Sequence, residues 1–447
     1  MSQKLFGTDG VRGKAGTSPL DHETVARLGA ALVRAMRTGN RPLRFLVGRD
    51  TRESGDWIER ELGRGVHAEG GAITSAGVIP TPAIAYVTRA LQFDAGIVIS
   101  ASHNPYEDNG IKVFSGRGEK FTEDLERHVE SIISDESWHV PGDGALPGVD
   151  KTDVIDAYIA HALLALPNPE RLQGLKIAID TANGATTTVA PKLFQGLGFD
   201  VTVLGNTPDG RNINLDCGST HPQHLAALVR DGGYRLGVAF DGDGDRAIFV
   251  DHTGKIVDGD AVMLLCARHM QSQGRLNGSA VVATVMSNIG LELALKASGI
   301  ELVRCPVGDK YVMEEMLKRK ISIGGEQSGH VIFSEHLFTG DGIATALMVL
   351  RVIADTGREL ADLASELVTY PQVLVNVRVK AKKNLRDVPA IAEAMDRVEG
   401  RLAGEGRLLV RYSGTEPLLR VMIEGRDQQE IHAWARDIAD TVKEHLG

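Results

Sequence analysis

A short apolar run that breaks at a Gly-, Ser- or Asn-bearing turn and then continues as a helix occurs three times in this chain. The copies are FLVGRDTRESGDWIERELGRG (45–65), KIAIDTANGATTTVAPKLFQGLG (176–198) and AVVATVMSNIGLELALKASG (280–299). A run with no polar face must be covered on both sides, and the helix that follows it supplies one cover. Three such units, widely spaced, predict three related α/β domains. The same reading places a helix over 21–36, where Val25, Leu28, Leu32, Val33 and Met36 recur at helical spacing, and a buried strand over 43–50. It places a further helix over 57–66 and a buried strand over 95–102 that runs into a loop. The Gly- and Pro-rich stretch 135–150 reads as a linker or exposed loop before a helix at 153–164. Beyond Tyr370 and Pro371 the pattern changes to a strand (373–380), a helix (388–402), two strands around RYSGTEPLLR and a helix (428–445), which predicts a small α+β module. A length of 447 residues accommodates this many domains.

Charge narrows the function. Forty-nine basic against 59 acidic residues leave a net charge of -10. This argues against nucleic acid or an anionic membrane as the main partner, but a local basic cluster can still bind phosphate. Cys217, Cys266 and Cys305 lack metal-ligand spacing and fit a reducing compartment. The opening MSQKLFGTDG has no apolar core of a signal peptide, and no apolar run reaches the roughly 18 residues that span a bilayer. The expected location is the cytoplasm.

Five segments carry chemistry. DGDGDR (241–246) lies between the apolar runs LGVAF and AIFVD, so Asp241, Asp243 and Asp245 stand at a strand end. The intervening glycines let the backbone turn tightly and aim all three acids at one centre. Such crowded like charges call for a cation, and hard carboxylate oxygens suit magnesium, manganese or calcium better than zinc. The loop is not an EF-hand, whose twelfth position would be glutamate where His252 stands. In ISASHNPYEDNGIKVF (99–114), Pro105 restricts Asn104 and holds Ser102 at the carboxyl end of a strand, with His103 and Lys112 close in sequence. In RYSGTEPLLR, Arg411 and Arg420 bracket Ser413, Gly414 and Thr415, a combination suited to an anion nest with guanidinium contacts. In GGEQSGH, Glu326, Ser328 and His330 occupy alternate positions, which on an extended backbone share one face fit for sugar hydroxyls and proton transfer. FGTDGVRG (6–13) places Asp9 and Arg12 among glycines.

FGTDGVRG, ISASHNPYEDNGIKVF, DGDGDR, GEQSGH and RYSGTEPLLR stand in the order found in the α-D-phosphohexomutase family, and the resemblance spans nearly the whole chain. It implies an α/β architecture of four domains around a central cleft: 1–150 with a phosphoserine loop, 151–255 with a metal loop, 256–370 with a sugar loop, and a smaller α+β domain, 371–447, with a phosphate loop. The forms FGTDGVRG and GEQSGH are most similar to the branch that handles glucosamine phosphates. The implied reaction interconverts glucosamine 6-phosphate and glucosamine 1-phosphate through a phosphoserine at Ser102 and a 1,6-bisphosphate intermediate, supplying UDP-N-acetylglucosamine synthesis. Asp241, Asp243, Asp245 and an oxygen on Ser102 would hold one magnesium ion per subunit, and glucosamine 1,6-bisphosphate or a related bisphosphate would prime the enzyme. Arg246, Lys310, Glu326 and Ser328 would contact the sugar phosphate. Lys310 departs from the arginine common at its site and loses the bidentate fork. Arg411, Ser413, Gly414, Thr415 and Arg420 would clamp the phosphate that does not react. His330, Lys112 and Arg12 are the candidates for acid and base, and His103 for orienting the phosphoserine. A homodimer is implied by the resemblance alone. The competing readings are a broad phosphoglucomutase/phosphomannomutase, a phosphoserine-type phosphatase and a non-catalytic sugar-phosphate sensor.

Overall fold

Each of the three strand–turn–helix units takes an interior place in its own sheet. The computed structural model describes residues 5–7, 9–142, 150–413 and 417–447. The strand Arg44–Arg49 runs parallel to Ala72–Val78 on one side and Ala95–Ile99 on the other. Lys176–Asp180 lies in the same way between Asp200–Leu204 and Leu236–Phe240. Ala280–Thr284 lies between Glu301–Cys305 and Ile323–Gly325. In every case the third parallel strand then turns back into an antiparallel neighbour: Asp108–Ser115, Ala247–Asp251 and Val331–Phe333 respectively. The sequence repeat is thus a repeat of topology. The segments around Ser102, DGDGDR and GEQSGH are the three equivalent returns, each at the carboxyl end of a buried strand, where ligands of α/β sheets gather.

Burial explains the apolar runs. Residues 95–99, 236–240 and 280–284 are buried throughout. The helix His22–Met36 starts where the Asp21 side chain accepts the Thr24 amide, and it turns Val25, Leu28, Leu32 and Val33 inward. The helix expected over 153–164 is regular over Ile155–Ala162 and tightens into a 3₁₀ turn, Leu163–Ala165.

The chain packs as two units. One runs to Met286 and resumes over Ile300–Ser365; the other comprises Ser287–Gly299 and Glu366–Gly447. In the second, an antiparallel sheet ordered Gln372–Arg378, Leu418–Glu424, Arg407–Tyr412 shares a core with the helices Pro389–Leu402 and Gln428–Leu446. Val377, Leu419, Val421, Ile391, Ile438 and Val442 fill it. The fully buried Glu424 pairs with Arg407 at 2.9 Å and accepts the Ile289 amide at 3.0 Å, capping the helix Ile289–Ala297.

Candidate active site

Ser102 follows the strand Ala95–Ile99 and has φ +53°, a left-handed conformation unusual for serine. Strain of this kind persists only where the surroundings over-determine it. Here Arg52, with no exposed side-chain surface, spends every N–H on the loop and its support. Its guanidinium donates to the carbonyls of Ser102 (3.0 Å), Asn104 (2.8 Å), Asp108 (3.0 Å) and Pro105, and its Nε to Asp50 Oδ2 (2.9 Å). Asp50 also accepts from Ser100 Oγ at 2.5 Å, and that hydroxyl accepts the Ser102 amide at 2.9 Å. From the second sheet's domain, Asn214 Nδ2 donates to the Ser102 carbonyl at 2.9 Å. The Ser102 hydroxyl is therefore held still and donates to Asp241 Oδ2 at 2.5 Å.

The three acids of DGDGDR converge as their spacing predicts: one oxygen of each lies within 4.8 Å of the others, and all three residues are buried. Gly242 is needed for close approach, since a Cβ there would sit 2.4 Å from the Ser102 carbonyl; Gly244 has φ +73°. Asp241 Oδ1 accepts the Arg246 amide at 3.1 Å. Asp243 Oδ2 accepts from Thr81 Oγ1 (2.6 Å) and Lys112 Nζ (2.8 Å). Asp245 Oδ2 faces Lys112 Nζ at 3.3 Å and His330 Nδ1 at 3.5 Å. Burial, reinforced by Asp245 and Asp243, pushes the Asp241 carboxyl well above the usual range. Asp243 Oδ1 and Asp245 Oδ1 are buried with no hydrogen-bond partner among the described residues. Unpartnered carboxylate oxygens and a carboxyl driven towards neutrality are what a hard divalent cation would satisfy, so the donor set fits magnesium.

The flanking basic groups differ in charge. Burial opposes charge on Lys112, but Asp243, Asp9 and Asp245 outweigh it and hold its pKa well above the ordinary lysine value. Burial and the nearby Arg246 and Arg12 push His103 down to about 4, so it is neutral; its Nδ1 accepts from Arg246 at 3.0 Å and lies 3.4 Å from Ser102 Oγ. His330 is pulled two ways. Burial opposes its protonation but Asp245 and Asp309 outweigh that, whereas the Gly340 amide donates to its Nε2 at 3.0 Å and favours the tautomer protonated at Nδ1.

Beside the triad a cavity of about 390 Å³ is lined by Asp9, Arg12, Asp245, Arg246, Asp309, Glu326 and His330, among others. Arg12 pairs with Asp9. Two expectations are corrected here. GEQSGH is not an extended face: Glu326 N donates to the His330 carbonyl at 2.9 Å and Gly329 N to Glu326 O at 3.1 Å, a hairpin turn. Glu326 and His330 reach the cavity, while Ser328 sits exposed at the turn and does not line it. Lys310 does not line it either. Its Nζ is buried against Glu126 Oε2 at 2.7 Å, because it faces the helix Glu123–Ile133, and Asp309 takes the cavity side.

In the other unit, Arg411 and Arg420 stand directly opposite on adjacent strands, and Ser413, whose amide donates to Leu418 O at 2.8 Å, follows Arg411. Burial and then the neighbouring Arg420 lower the Arg411 pKa. Gly414 and Thr415 lie outside the described residues. Sequence reasoning missed Asp50, Arg52, Thr81, Asn214 and Asp309. The only available signal was the position of Asp50 and Arg52 immediately after the first repeated strand.

A buried serine on an acid triad, beside a polar cavity and on three equivalent strand returns, defines a phosphohexomutase-like protein. Models of the phosphoglucomutase/phosphomannomutase family match over the whole layout: α/β/α domain I at residues 3–139, domain II at 156–254, domain III at 258–370 and the C-terminal domain at 374–441. The chain belongs to the phosphoglucomutase/phosphomannomutase family and is a mutase. The phosphoglucosamine mutase of Solibacter usitatus is 47% identical over 100% of both chains. Among solved structures, a family protein from Burkholderia thailandensis superposes with TM-score 0.81 at 24% identity, over 100% of this chain and 99% of its own. N-acetylphosphoglucosamine mutase of Aspergillus fumigatus, solved with GlcNAc-6P and magnesium, superposes with TM-score 0.65 at 17% identity, over 99% and 96%.

Proposed function

We propose that this chain interconverts glucosamine 6-phosphate and glucosamine 1-phosphate, with Ser102 carrying the phosphoryl group between them. The contact of Ser102 Oγ with Asp241, in the triad whose Asp245 lines a sugar-sized cavity, carries the reading, and the relative at 47% identity supports the amino sugar. Phosphate monoesters resist hydrolysis, so the enzyme must act by positioning and charge neutralisation. In the forward half, the sugar oxygen bonds to phosphorus as the Ser102 Oγ–P bond breaks, giving the 1,6-bisphosphate; the bisphosphate turns over and returns its other phosphoryl group to Ser102. Asp241, Asp243, Asp245 and an oxygen on Ser102 would hold magnesium, which when bound neutralises charge on the transferring group.

The remaining work falls to the chain's own groups. Lys112, held protonated, neutralises the departing Ser102 oxygen. His330 accepts the proton of the sugar hydroxyl at Nε2, which gives up the Gly340 amide for it, and the resulting charge is favoured by Asp245 and Asp309. His103, with Arg246, orients the phosphoserine. Glu326 binds sugar hydroxyls and Arg246 the phosphoryl oxygens. Arg411, Ser413 and Arg420, with Gly414 and Thr415, hold the distal phosphate, contributing binding energy remote from the reacting bond. A related bisphosphate primes Ser102. The free thiols and the absence, among the described residues, of any helix long and apolar enough to cross a membrane support a cytoplasmic enzyme, and family resemblance supports a homodimer, which light scattering checks.

The test pairs turnover with mass. Glucosamine 6-phosphate should turn over faster than glucose 6-phosphate or mannose 6-phosphate. Treatment with glucose 1,6-bisphosphate should add one phosphoryl group to the peptide containing Ser102. Faster turnover of a neutral sugar would replace the narrow assignment with a broad mutase, and net release of phosphate would indicate a phosphatase.

A further inference from the structure

The turn Val307–Asp309 brings into the cavity a carboxylate that favours the charge of His330 and to which the reaction above assigns no contact with the sugar. Four acids line that space: Asp9, Asp245, Asp309 and Glu326. Asp245 belongs to the triad. Asp9 is saturated by Arg12, Lys112 and Lys120. Glu326 is committed to hydroxyls in the function proposed above. Asp309 remains: its Oδ1 accepts the Lys310 amide at 2.8 Å, and its Oδ2 pairs with Lys120 and lies 3.6 Å from His330 Nε2.

Position says which part of a sugar it would meet. One imidazole separates Asp309 from Asp245, since His330 reaches Asp245 through its other nitrogen. One backbone step separates it from Glu326, whose Oε1 accepts the Gly308 amide at 3.3 Å. Asp309 thus lies between the reacting end of the site and the hydroxyl-binding end. On a hexose, the substituent that lies between the reacting 1-hydroxyl and the remaining ring hydroxyls is the one on carbon 2. We propose that Asp309 is the residue that selects a substrate bearing a 2-ammonium group over one bearing a 2-hydroxyl, in the orientation that points carbon 1 at Ser102. A charge-assisted N–H donor to a carboxylate in a water-poor cavity is worth more than a neutral O–H, which is the difference selectivity needs. In the free enzyme Lys120 balances the Asp309 charge, and the substrate ammonium shares the same carboxylate.

This inference rests on the proposed amino-sugar mutase activity, and the test separates the two. The ratio of kcat/KM for glucosamine 6-phosphate to that for glucose 6-phosphate is measured from pH 6 to 9 in the native enzyme, Asp309→Asn and Glu326→Gln. The native ratio should decline as the substrate amine loses its proton. Asp309→Asn should lower the ratio at neutral pH at least about tenfold and flatten its pH dependence, a change that damage to packing would not produce. Glu326→Gln should slow both substrates together. A native ratio independent of pH, equal losses for both sugars in Asp309→Asn, or a ratio moved by Glu326→Gln instead would each overturn the proposal, and the first needs no variant to fold. A native enzyme inert towards glucosamine 6-phosphate would sink the activity itself.

Discussion

The Ser102 loop and the strand pair carrying Arg411 and Arg420 are both expected to handle phosphate, yet they are built from different parts: a loop braced by a buried arginine, and two arginines facing each other across a sheet. Around Ser102 the protein satisfies itself: Arg52 uses five N–H groups, Asp50 gathers Arg52 and Ser100, and Asn214 closes the loop from another domain. Across the 411–420 strands two like charges face each other, and burial with that repulsion lowers the Arg411 pKa. A group that must deliver phosphorus along one line needs a fixed scaffold, for which internal hydrogen bonds are suited. Two guanidinium groups facing one another across a strand pair offer the bidentate contacts that the proposed function uses to hold the distal phosphate.

Four outcomes would break or sharpen that contrast, from the largest effect to the smallest. Ser102→Ala should cut turnover at least about 10³-fold while moving the unfolding free energy by only about 1 kcal/mol, read by steady-state kinetics beside urea unfolding. Arg52→Met should cost about 3–5 kcal/mol of stability, because it leaves the buried Asp50 without its charge partner and takes a donor from each of four carbonyls. Arg52→Lys should restore little, having three donors and no fork. A loss below about 1 kcal/mol in Arg52→Met would mean that the loop holds itself. Arg420→Ala should act mainly on the substrate, lowering kcat/KM about 10–100-fold through KM while stability changes by less than about 1 kcal/mol. If it instead unfolded the C-terminal unit, the contrast would collapse.

The smallest effect concerns the large unit alone. His161, stacked on Tyr86 with ring centroids 4.0 Å apart, is pushed down to about 4 by burial, His336 and Arg89. Its folded pKa lies below its ordinary value of 6.5, so between pH 6.5 and 4 the unfolded chain binds a proton that the folded chain does not. Stability is therefore intact above pH 6.5 and declines towards pH 4. His161→Phe should flatten that slope in pH-dependent unfolding, and an unchanged slope would place the acid sensitivity elsewhere.

Much of the fold and the convergence of the acid triad was legible in the linear chain. The apolar strands at 95–99, 236–240 and 247–251 lie where the pattern puts them, and the three aspartates converge as alternate acids among glycines must. The errors came where orientation depends on a neighbour. Alternate positions in GEQSGH share a face only on an extended strand, and the backbone there turns back on itself, sending Ser328 outward. Lys310 and Asp309 are adjacent near the start of one helix, and Glu126, far off in sequence, captures the lysine and leaves the acid to the cavity. No local pattern marked Arg52 for burial, although its side chain has no exposed surface.

The sequence by itself determined the strand and helix pattern, the turn chemistry that places a serine and three carboxylates at strand ends, and the balance of charge. These follow from forces acting over a few residues: apolar periodicity, backbone freedom at glycine and its loss at proline. Tertiary structure alone decided that Ser102 meets Asp241 across 139 positions, that Lys112 answers Asp243, and that Asp309 rather than Lys310 looks into the cavity. Those pairings arise when separate sheets pack, and a buried charge takes whichever opposite charge packing brings within reach, however far away it lies in the chain.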